Sequence, residues 1–220
     1  MSARQEILNR LRGRERAVTL PPPWRSRREF PSLEERFRHS LEAVYGQVLR
    51  AGSQQEALSQ AAQLLEQMGV RKIVINHEPP LEGLVAHLAG IEWHIAAQDA
   101  GVCWDCGQNW RWLCADSDAG LSSADAALAE TGSLIISSGP GKSRLTTLLP
   151  PVHLALLPRS RLTTDLFTWL AALRRQQDAP LRLPANAVLV SGPSKTADIE
   201  QTMSVGVHGP KRLIVILYPD

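Results

Sequence analysis

LIVILY, at residues 213–218, is an unbroken run of hydrophobic residues, and VHLALL at residues 152–157 and AVLVS at residues 187–191 have nearly the same character. A strand with one face in water alternates apolar and polar residues, whereas these runs are apolar on both faces. Strands of this kind lie in parallel sheets that helices cover on both sides. The sequence therefore predicts a three-layer α/β domain with a mainly parallel sheet.

An N-terminal helical arm precedes this predicted domain. Residues 2–12 indicate a short amphipathic helix, and four prolines within residues 19–31 exclude a regular helix from that linker. A Ser-x-x-Glu capping box then predicts a helix over residues 33–50. We divide the chain into the arm with its Pro-rich linker, residues 1–50, and the α/β domain, residues 51–220.

The rest of the chain alternates between helical and strand patterns. Apolar periodicity and helix-start signals predict helices at residues 54–68, 80–88, 123–130, 164–175 and 196–204. Further strands are predicted at residues 72–76, 91–97 and 133–138. Residues 98–120 are predicted to be irregular or partly strand. This alternation supports the α/β class.

Composition excludes several classes of function. The chain has 220 residues with 24 basic and 22 acidic side chains, and its net charge of +2 gives no reason to expect nucleic acid as a partner. No apolar run approaches the roughly 20 residues that span a bilayer, and the first residues lack the apolar centre of a signal peptide. We therefore expect a cytoplasmic protein with reduced cysteines and no transmembrane segment.

The strongest candidate site is the polar region between the last two apolar runs. It reads GPSKTADIE at residues 192–200 and GVHGP at residues 206–210. Ligands of open α/β sheets bind outside the carboxyl ends of strands, and a helix starting here would offer free backbone N–H groups to an anion. His208, between glycines that allow close approach, is a candidate proton carrier.

The same residues also have a purely structural interpretation. Ser194 or Thr196 would then cap the helix, and Asp198 and Glu200 would only favour its positive end. His208 would only hydrogen-bond the backbone in a turn. The residue types alone leave both interpretations open.

Two further segments carry candidate residues. Glu130 precedes Thr131 and Gly132 at a predicted helix–strand junction, where a carboxylate can act as a base, a nucleophile or a hydroxyl anchor, or simply be solvated at a helix end. The GPGKSR turn lacks the first glycine of a nucleotide-binding loop. We read it as a hairpin that presents Lys142 and Arg144 either to an anionic ligand or to solvent.

Cys103, Cys106 and Cys114 resemble part of a metal site. Closed zinc or iron–sulfur sites use four ligands, so a fourth would come from elsewhere, such as His94. The tryptophans around these cysteines favour packing or a partner surface, and we expect no metal in this chain. His153 lies within an apolar strand, as core histidines do.

Four motifs, in order, are similar to those of the LUD domain family: SADAALAETGSL at residues 123–134, LPPVH at 149–153, GPSKTADIE at 192–200 and GVHGP at 206–210. Within that family the chain resembles the lactate utilization protein C (LutC/YkgG-like) type. The resemblance covers most of the chain. It implies an α/β fold similar to that of the sugar-phosphate isomerases and CoA transferases (NagB/RpiA-like).

The resemblance also implies a function. It implies a role in L-lactate utilization beside partner proteins that carry iron–sulfur clusters and together oxidise L-lactate to pyruvate. No cofactor is implied in this chain, and a small organic acid is a candidate ligand. The alternative, by analogy with CoA transferases, is a stand-alone small-acid or thioester enzyme that uses Glu130.

The positions that match the family motifs are the expected site residues. The candidate catalytic residues are Glu130, His208 and Asp198. The candidate ligand-binding residues are Thr131, Gly132, His153, Gly192, Pro193, Ser194, Thr196, Glu200, Gly209 and Pro210, together with Lys142 and Arg144 of the hairpin.

Overall fold

A computed structural model of the chain shows an α/β architecture. It describes residues 3–12, 24, 26–97, 102–104, 106–176, 184, 186–197 and 203–220. The helices are α1 (Ala3–Arg12), α2 (Leu33–Ala43), α3 (Gln54–Gln67), α4 (Trp110–Ala115), α5 (Arg144–Leu148) and α6 (Leu166–Gln176), with short 3-10 helices at Leu81–His87 and Arg159–Arg161. No helix in these ranges is long and apolar enough to cross a membrane.

Parallel strands form the main sheet, as the apolar runs predict. Its strands are β1 (Gln47–Arg50), β2 (Lys72–Ile75), β3 (Glu92–Ile95), β4 (Ala119–Ser122), β7 (Val152–Pro158) and β12 (Arg212–Tyr218). Their spatial order is β1-β12-β7-β4-β2-β3, and every neighbouring pair is parallel. The predicted mainly parallel α/β fold is therefore confirmed.

Both faces of this sheet are buried, which explains the uninterrupted apolar runs. Leu154 and Leu156 of β7 face one core, which α3 and the 3-10 helix Leu81–His87 cover. Ala155 and Leu157, one residue out of phase, face a second core that contains α2. Because successive side chains of a strand point to opposite faces, each face needs its own apolar set.

A smaller sheet lies on the α2 side of the main sheet. Its strands are β5 (Ala126–Leu128), β6 (Ser133–Ser137), β8 (Leu162–Thr163) and β9 (Ala187–Val190), in the order β8-β5-β6-β9. A separate antiparallel hairpin joins β10 (Lys195–Ala197) and β11 (Met203–Val205). The apolar run at residues 187–191 therefore contributes to the small sheet and not to the main one.

The helix predicted over residues 123–130 is wrong. Ala126–Leu128 is a buried strand that pairs antiparallel with β6, with Ala127 opposite Leu134. Ser123 caps no helix, and its backbone N–H donates to the Glu78 carboxylate at 2.9 Å. Alanine favours helices, but pairing and burial in the tertiary structure override that intrinsic preference.

The helix predicted over residues 196–204 is also wrong where the structure describes it. Thr196 pairs with Ser204 in the β10–β11 hairpin, and residues 198–202 lie outside the described ranges. Two backbone hydrogen bonds close the base of this segment, from Ser194 N–H to Pro210 O and from Gly206 N–H to Ser194 O, each 2.8 Å long. These bonds hold an extended loop in place of a helix.

The predicted helix start at Ser32 is confirmed, because its hydroxyl accepts from the Glu35 backbone N–H, although the Glu35 carboxylate pairs with Arg38 and Arg50 and does not complete the capping box. The helix ends at Ala43, however, and residues 47–50 form β1, so the prediction of a helix through residue 50 is wrong. Tyr45 adopts a left-handed backbone with φ of 70°, which ends the helix. The division after residue 50 stays a prediction. Residues 98–120, predicted as irregular or partly strand, contain α4 and β4.

Gly120 allows α5 to lie directly on the main sheet, which generates a stability prediction. A Cβ atom at this position would lie 1.7 Å from the Thr146 carbonyl oxygen. We expect Gly120→Ala to lower the free energy of unfolding by about 1–3 kcal/mol, because the helix must move away from the sheet. Urea unfolding measures this change.

Gly139→Ala is the matched control, because a Cβ there has no neighbour within 4 Å. Its urea midpoint should stay close to that of the parent protein. Equal midpoints for Gly120→Ala and Gly139→Ala would contradict the close contact between α5 and the sheet.

Candidate functional site

A pocket of about 200 Å³ joins the second core to the surface. His153 and Leu213, the second residues of β7 and β12, form its inner wall, and β9 forms a side wall. Thr147 and Leu148 of α5 also line it, and the predicted loop segments contribute Gly192, Ser194, His208, Gly209 and Pro210. The structure therefore brings His153 and both polar loop segments to one pocket.

The pocket lies at the amino ends of the main-sheet strands, whereas we expected a site outside their carboxyl ends. The expectation treated residues 187–191 as a strand of the parallel sheet. In the structure β9 pairs antiparallel with β6 in the small sheet, so its carboxyl end points to the entry of β7 and β12. The location of the site is thus corrected.

His153 is the most distinctive group of the pocket. It is fully buried, and its Nε2 lies 2.8 Å from the Ser122 hydroxyl. Its Nδ1 is buried without a hydrogen-bond partner among the described residues. Burial lowers the pKa of His153 from 6.5 to about 4, so the imidazole is neutral at neutral pH. A neutral imidazole can form one further hydrogen bond with a small polar ligand, as donor or as acceptor according to its tautomer.

A chain of hydroxyl groups reaches the pocket from the turn after Glu130. Ser191, a lining residue, lies 2.6 Å from Ser133 between the two hydroxyl oxygens, and Ser133 lies 2.7 Å from the Thr131 hydroxyl. Hydroxyl groups donate and accept, so such a chain can adjust to either kind of ligand atom. Thr131 is therefore connected to the pocket through other side chains and does not line it.

Glu130 itself is not among the lining residues. Its carboxylate pairs with the Arg28 guanidinium at 3.1 Å, and its backbone oxygen accepts from the Ser40 hydroxyl at 3.1 Å. The neighbouring Gly132 has φ of 68°, and a Cβ there would lie 2.3 Å from the Leu41 backbone nitrogen. This segment packs against α2, and of the two residues Glu130 and His208 only His208 lines the pocket.

The other described residues of the predicted site do not line the pocket. Lys142 pairs with Glu78 at 3.0 Å and with Asp125 at 3.4 Å. The pKa of Lys142 is raised, because the two carboxylates outweigh the opposing effect of desolvation. Arg144 starts α5, Pro193 is buried, and Thr196 lies on β10. Asp198 and Glu200 lie outside the described residues.

Sequence reasoning missed Ser122, whose hydroxyl contacts His153, and Ser191, which lines the pocket. Ser191 directly precedes Gly192 at the end of an apolar run, and that position was an available signal. Ser122 follows an Ala-Gly-Leu segment without any motif, and only the pairing of β4 with β7 brings it to His153. No local pattern identifies such a residue.

Comparison with known proteins assigns the family. Residues 34–218 match the sequence model of the LUD domain family. The match covers the main sheet, the small sheet and every described residue of the pocket. The chain therefore belongs to the LUD domain family.

Similar curated proteins include two named lactate utilization protein C. The one from Halalkalibacterium halodurans is 32% identical over 161 residues, which cover 71% of this chain and 66% of the relative. The one from Exiguobacterium sp. is 38% identical over 119 residues, which cover 53% and 52%. The protein YkgG from Escherichia coli is 29% identical over 170 residues, covering 76% and 71%. The chain thus matches only part of the length of these relatives.

A solved structure supports the fold. It is a DUF162 family protein from Deinococcus radiodurans, with a TM-score of 0.53 and 18% sequence identity. The alignment covers 84% of this chain and 96% of that protein. The α/β architecture is therefore shared across low sequence identity.

The lowered pKa of His153 generates a pH prediction. Between pH 6.5 and about 4 the unfolded state binds a proton that the folded state does not, so stability is full above pH 6.5 and falls as the pH drops towards 4. The loss attributable to His153 is about 3 kcal/mol at most. Urea unfolding from pH 7 to pH 4 measures it.

His153→Gln is the reference variant, because its amide does not titrate. Other groups also titrate in this range, so the quantity of interest is the difference between the two pH profiles. We expect the parent protein to lose more stability than the variant between pH 6.5 and 4. Parallel profiles would contradict a neutral, buried His153.

Proposed function

We propose that this protein acts in L-lactate utilization and supports the oxidation of L-lactate to pyruvate together with iron–sulfur partner proteins. Membership of the LUD domain family and similarity to proteins named lactate utilization protein C support this role. In this proposal the redox cofactors reside in the partners. This chain contributes a small-ligand pocket.

The pocket is the observation that carries the proposal. Its volume of about 200 Å³ suits a molecule of a few carbon atoms, Ser191 offers a hydroxyl group at its wall, and the buried His153 borders it with an Nδ1 atom that has no partner among the described residues. None of the described lining residues is a lysine or an arginine. A small carboxylate or hydroxy acid would therefore be held by hydrogen bonds from hydroxyl and imidazole groups, with His208 at the exposed rim.

The stand-alone enzyme of CoA-transferase type receives less support. That reaction needs the Glu130 carboxylate in contact with the substrate. In the structure this carboxylate pairs with Arg28 and does not line the pocket. We therefore favour the accessory role.

A growth experiment tests the role of the pocket. We expect deletion of the gene to abolish growth on L-lactate as sole carbon source and to leave growth on glucose unchanged. His153→Phe removes both ring nitrogens and adds apolar volume beside the pocket, so it should fail to restore growth when produced at the parent level. His39→Ala, an exposed histidine on α2, should restore it.

Each part of this experiment has a result that would contradict the proposal. Normal growth of the deletion strain on L-lactate would refute the proposed pathway. Full rescue by His153→Phe would leave the pathway in place but show that the pocket does not serve it.

The proposed partners are tested by affinity purification of the tagged chain from cells grown on L-lactate under anaerobic conditions. We expect co-purifying proteins whose iron and acid-labile sulfide contents indicate iron–sulfur clusters. The same purification from cells grown on glucose provides the background. Equal iron and sulfide in both preparations would argue against the partnership.

A further inference from the structure

Three metal-ligating side chains meet beside β3, at the edge of the main sheet. His94 lies on β3, and Cys103 and Cys106 lie in the segment that follows it. The His94 Nδ1 atom is 3.6 Å from the Cys103 sulfur and 3.8 Å from the Cys106 sulfur. All three ligand atoms lie within 4.8 Å of one another.

These separations are those of one tetrahedral coordination site. Zinc–sulfur bonds of about 2.3 Å and zinc–nitrogen bonds of about 2.0 Å place nitrogen and sulfur about 3.5 Å apart, and two sulfurs about 3.8 Å apart, around one ion. The two measured nitrogen–sulfur distances agree with this geometry. A single ion can therefore contact all three atoms with little movement of the backbone.

The strand orients the imidazole for this purpose. Glu92 and His94 are two residues apart on β3 and share a face, and the Glu92 carboxylate lies 2.8 Å from His94 Nε2. A carboxylate accepts hydrogen bonds, so the imidazole proton resides on Nε2 and the Nδ1 lone pair faces the two sulfurs. Lys72 lies 3.4 Å from the same carboxylate oxygen and helps to hold it. Carboxylate–histidine pairs of this kind orient metal ligands.

The cysteine segment is held in a tight turn that directs both sulfurs to the histidine. The Cys103 backbone N–H donates to Gln108 O at 2.9 Å, and the Gly107 N–H donates to Cys103 O at 3.2 Å. Gly107 has φ of 65°, which favours glycine directly after Cys106. The Trp104 N–H donates to Ile95 O at 2.8 Å and attaches the turn to β3.

Cys114 does not join this group. It is buried in an apolar cluster with Trp110 and Leu113, and burial raises the pKa of its thiol to about 12. A thiol with so high a pKa stays protonated, whereas zinc binds the thiolate. The described geometry groups His94 with Cys103 and Cys106 and leaves Cys114 outside the group.

We propose that the protein binds one zinc ion through His94 Nδ1, Cys103 Sγ and Cys106 Sγ, with Glu92 as a positioning residue. Two sulfurs and an imidazole form a soft donor set that selects zinc over magnesium or calcium. Water occupies the fourth position of the tetrahedron. The ion ties the turn at residues 102–109 to β3 and contributes to stability there.

The zinc site is separate from the pocket. Register pairs place His94, Val74, Gly120 and His153 in one row across neighbouring strands. Three strand spacings separate the two histidines by about 14 Å. The proposed zinc binding and the proposed role in lactate utilization can therefore be disproved independently of each other.

Metal titration tests this proposal. The full-length protein, reduced and freed of metal with a chelator, is titrated with zinc alone and with cobalt as a spectroscopic probe. We expect one equivalent of zinc to bind and to protect Cys106 from alkylation. Cobalt should produce thiolate-to-metal charge-transfer bands and the intense visible bands of a tetrahedral site.

Matched variants separate the site from the other cysteine. Cys106→Ser changes an exposed residue and should keep the circular dichroism spectrum while losing both the zinc equivalent and the cobalt bands. Cys114→Ser should keep both. Glu92→Gln should weaken zinc binding by about 10- to 100-fold, because the imidazole loses its orienting partner.

Several results would overturn the proposal. One is a reduced parent protein that binds no zinc, and another is a Cys106→Ser variant that binds zinc as the parent does. If the anaerobically purified protein contained iron and acid-labile sulfide in place of zinc, the site would be an iron–sulfur cluster site and not a zinc site. If Cys114→Ser lost the cobalt bands while its circular dichroism spectrum stayed unchanged, Cys114 would be a ligand and the proposed ligand set would be wrong.

Discussion

The parallel register of the main sheet is the constraint on which both candidate sites depend. It aligns Leu213, His153, Gly120, Val74 and His94 in one row, so that all five residues project from the same face. The glycine in the middle lets α5 lie against the sheet. The two histidines consequently lie on opposite sides of this helix, one beside the pocket and the other beside the cysteines. A shift of one residue in any of these pairings would move a histidine to the opposite core.

The elements that sequence predicts well are those whose pattern follows from burial on both faces. The runs at residues 152–157 and 213–218 have few other interpretations, and they form the centre of the parallel sheet. The segments at residues 123–130 and 196–204 have helix-favouring composition, yet Ala126–Leu128 and the described ends of the second segment pair as strands in short antiparallel hairpins. Intrinsic propensity does not distinguish a helix from a short hairpin where strand pairing and burial decide the outcome, and this limits prediction from one sequence.

The residues of the candidate site, like the helices and strands, could be predicted from the sequence only in part. Turn residues and a histidine at residues 206–210 mark a loop where backbone and side chain approach a cavity, and the pocket contains them. Glu130 belongs to the same family pattern, but its segment is explained by contact with α2, where Gly132 approaches Leu41. A shared motif does not distinguish residues that bind from residues that pack. Only the three-dimensional arrangement separates the two roles.

The hydrogen bonding of His153 favours a ligand over a purely structural explanation of the pocket. A buried polar atom without a partner costs about 1–3 kcal/mol, whereas replacing both members of a buried polar pair by apolar groups of similar shape is nearly neutral. The Ser122–His153 pair therefore has an apolar substitute that would fold equally well. His153 instead keeps Nε2 bonded and leaves Nδ1 buried without a partner among the described residues, in a side chain that borders the pocket. A ligand atom that accepts or donates one hydrogen bond at this point recovers the cost, and the neutral state of the imidazole allows either direction of bonding.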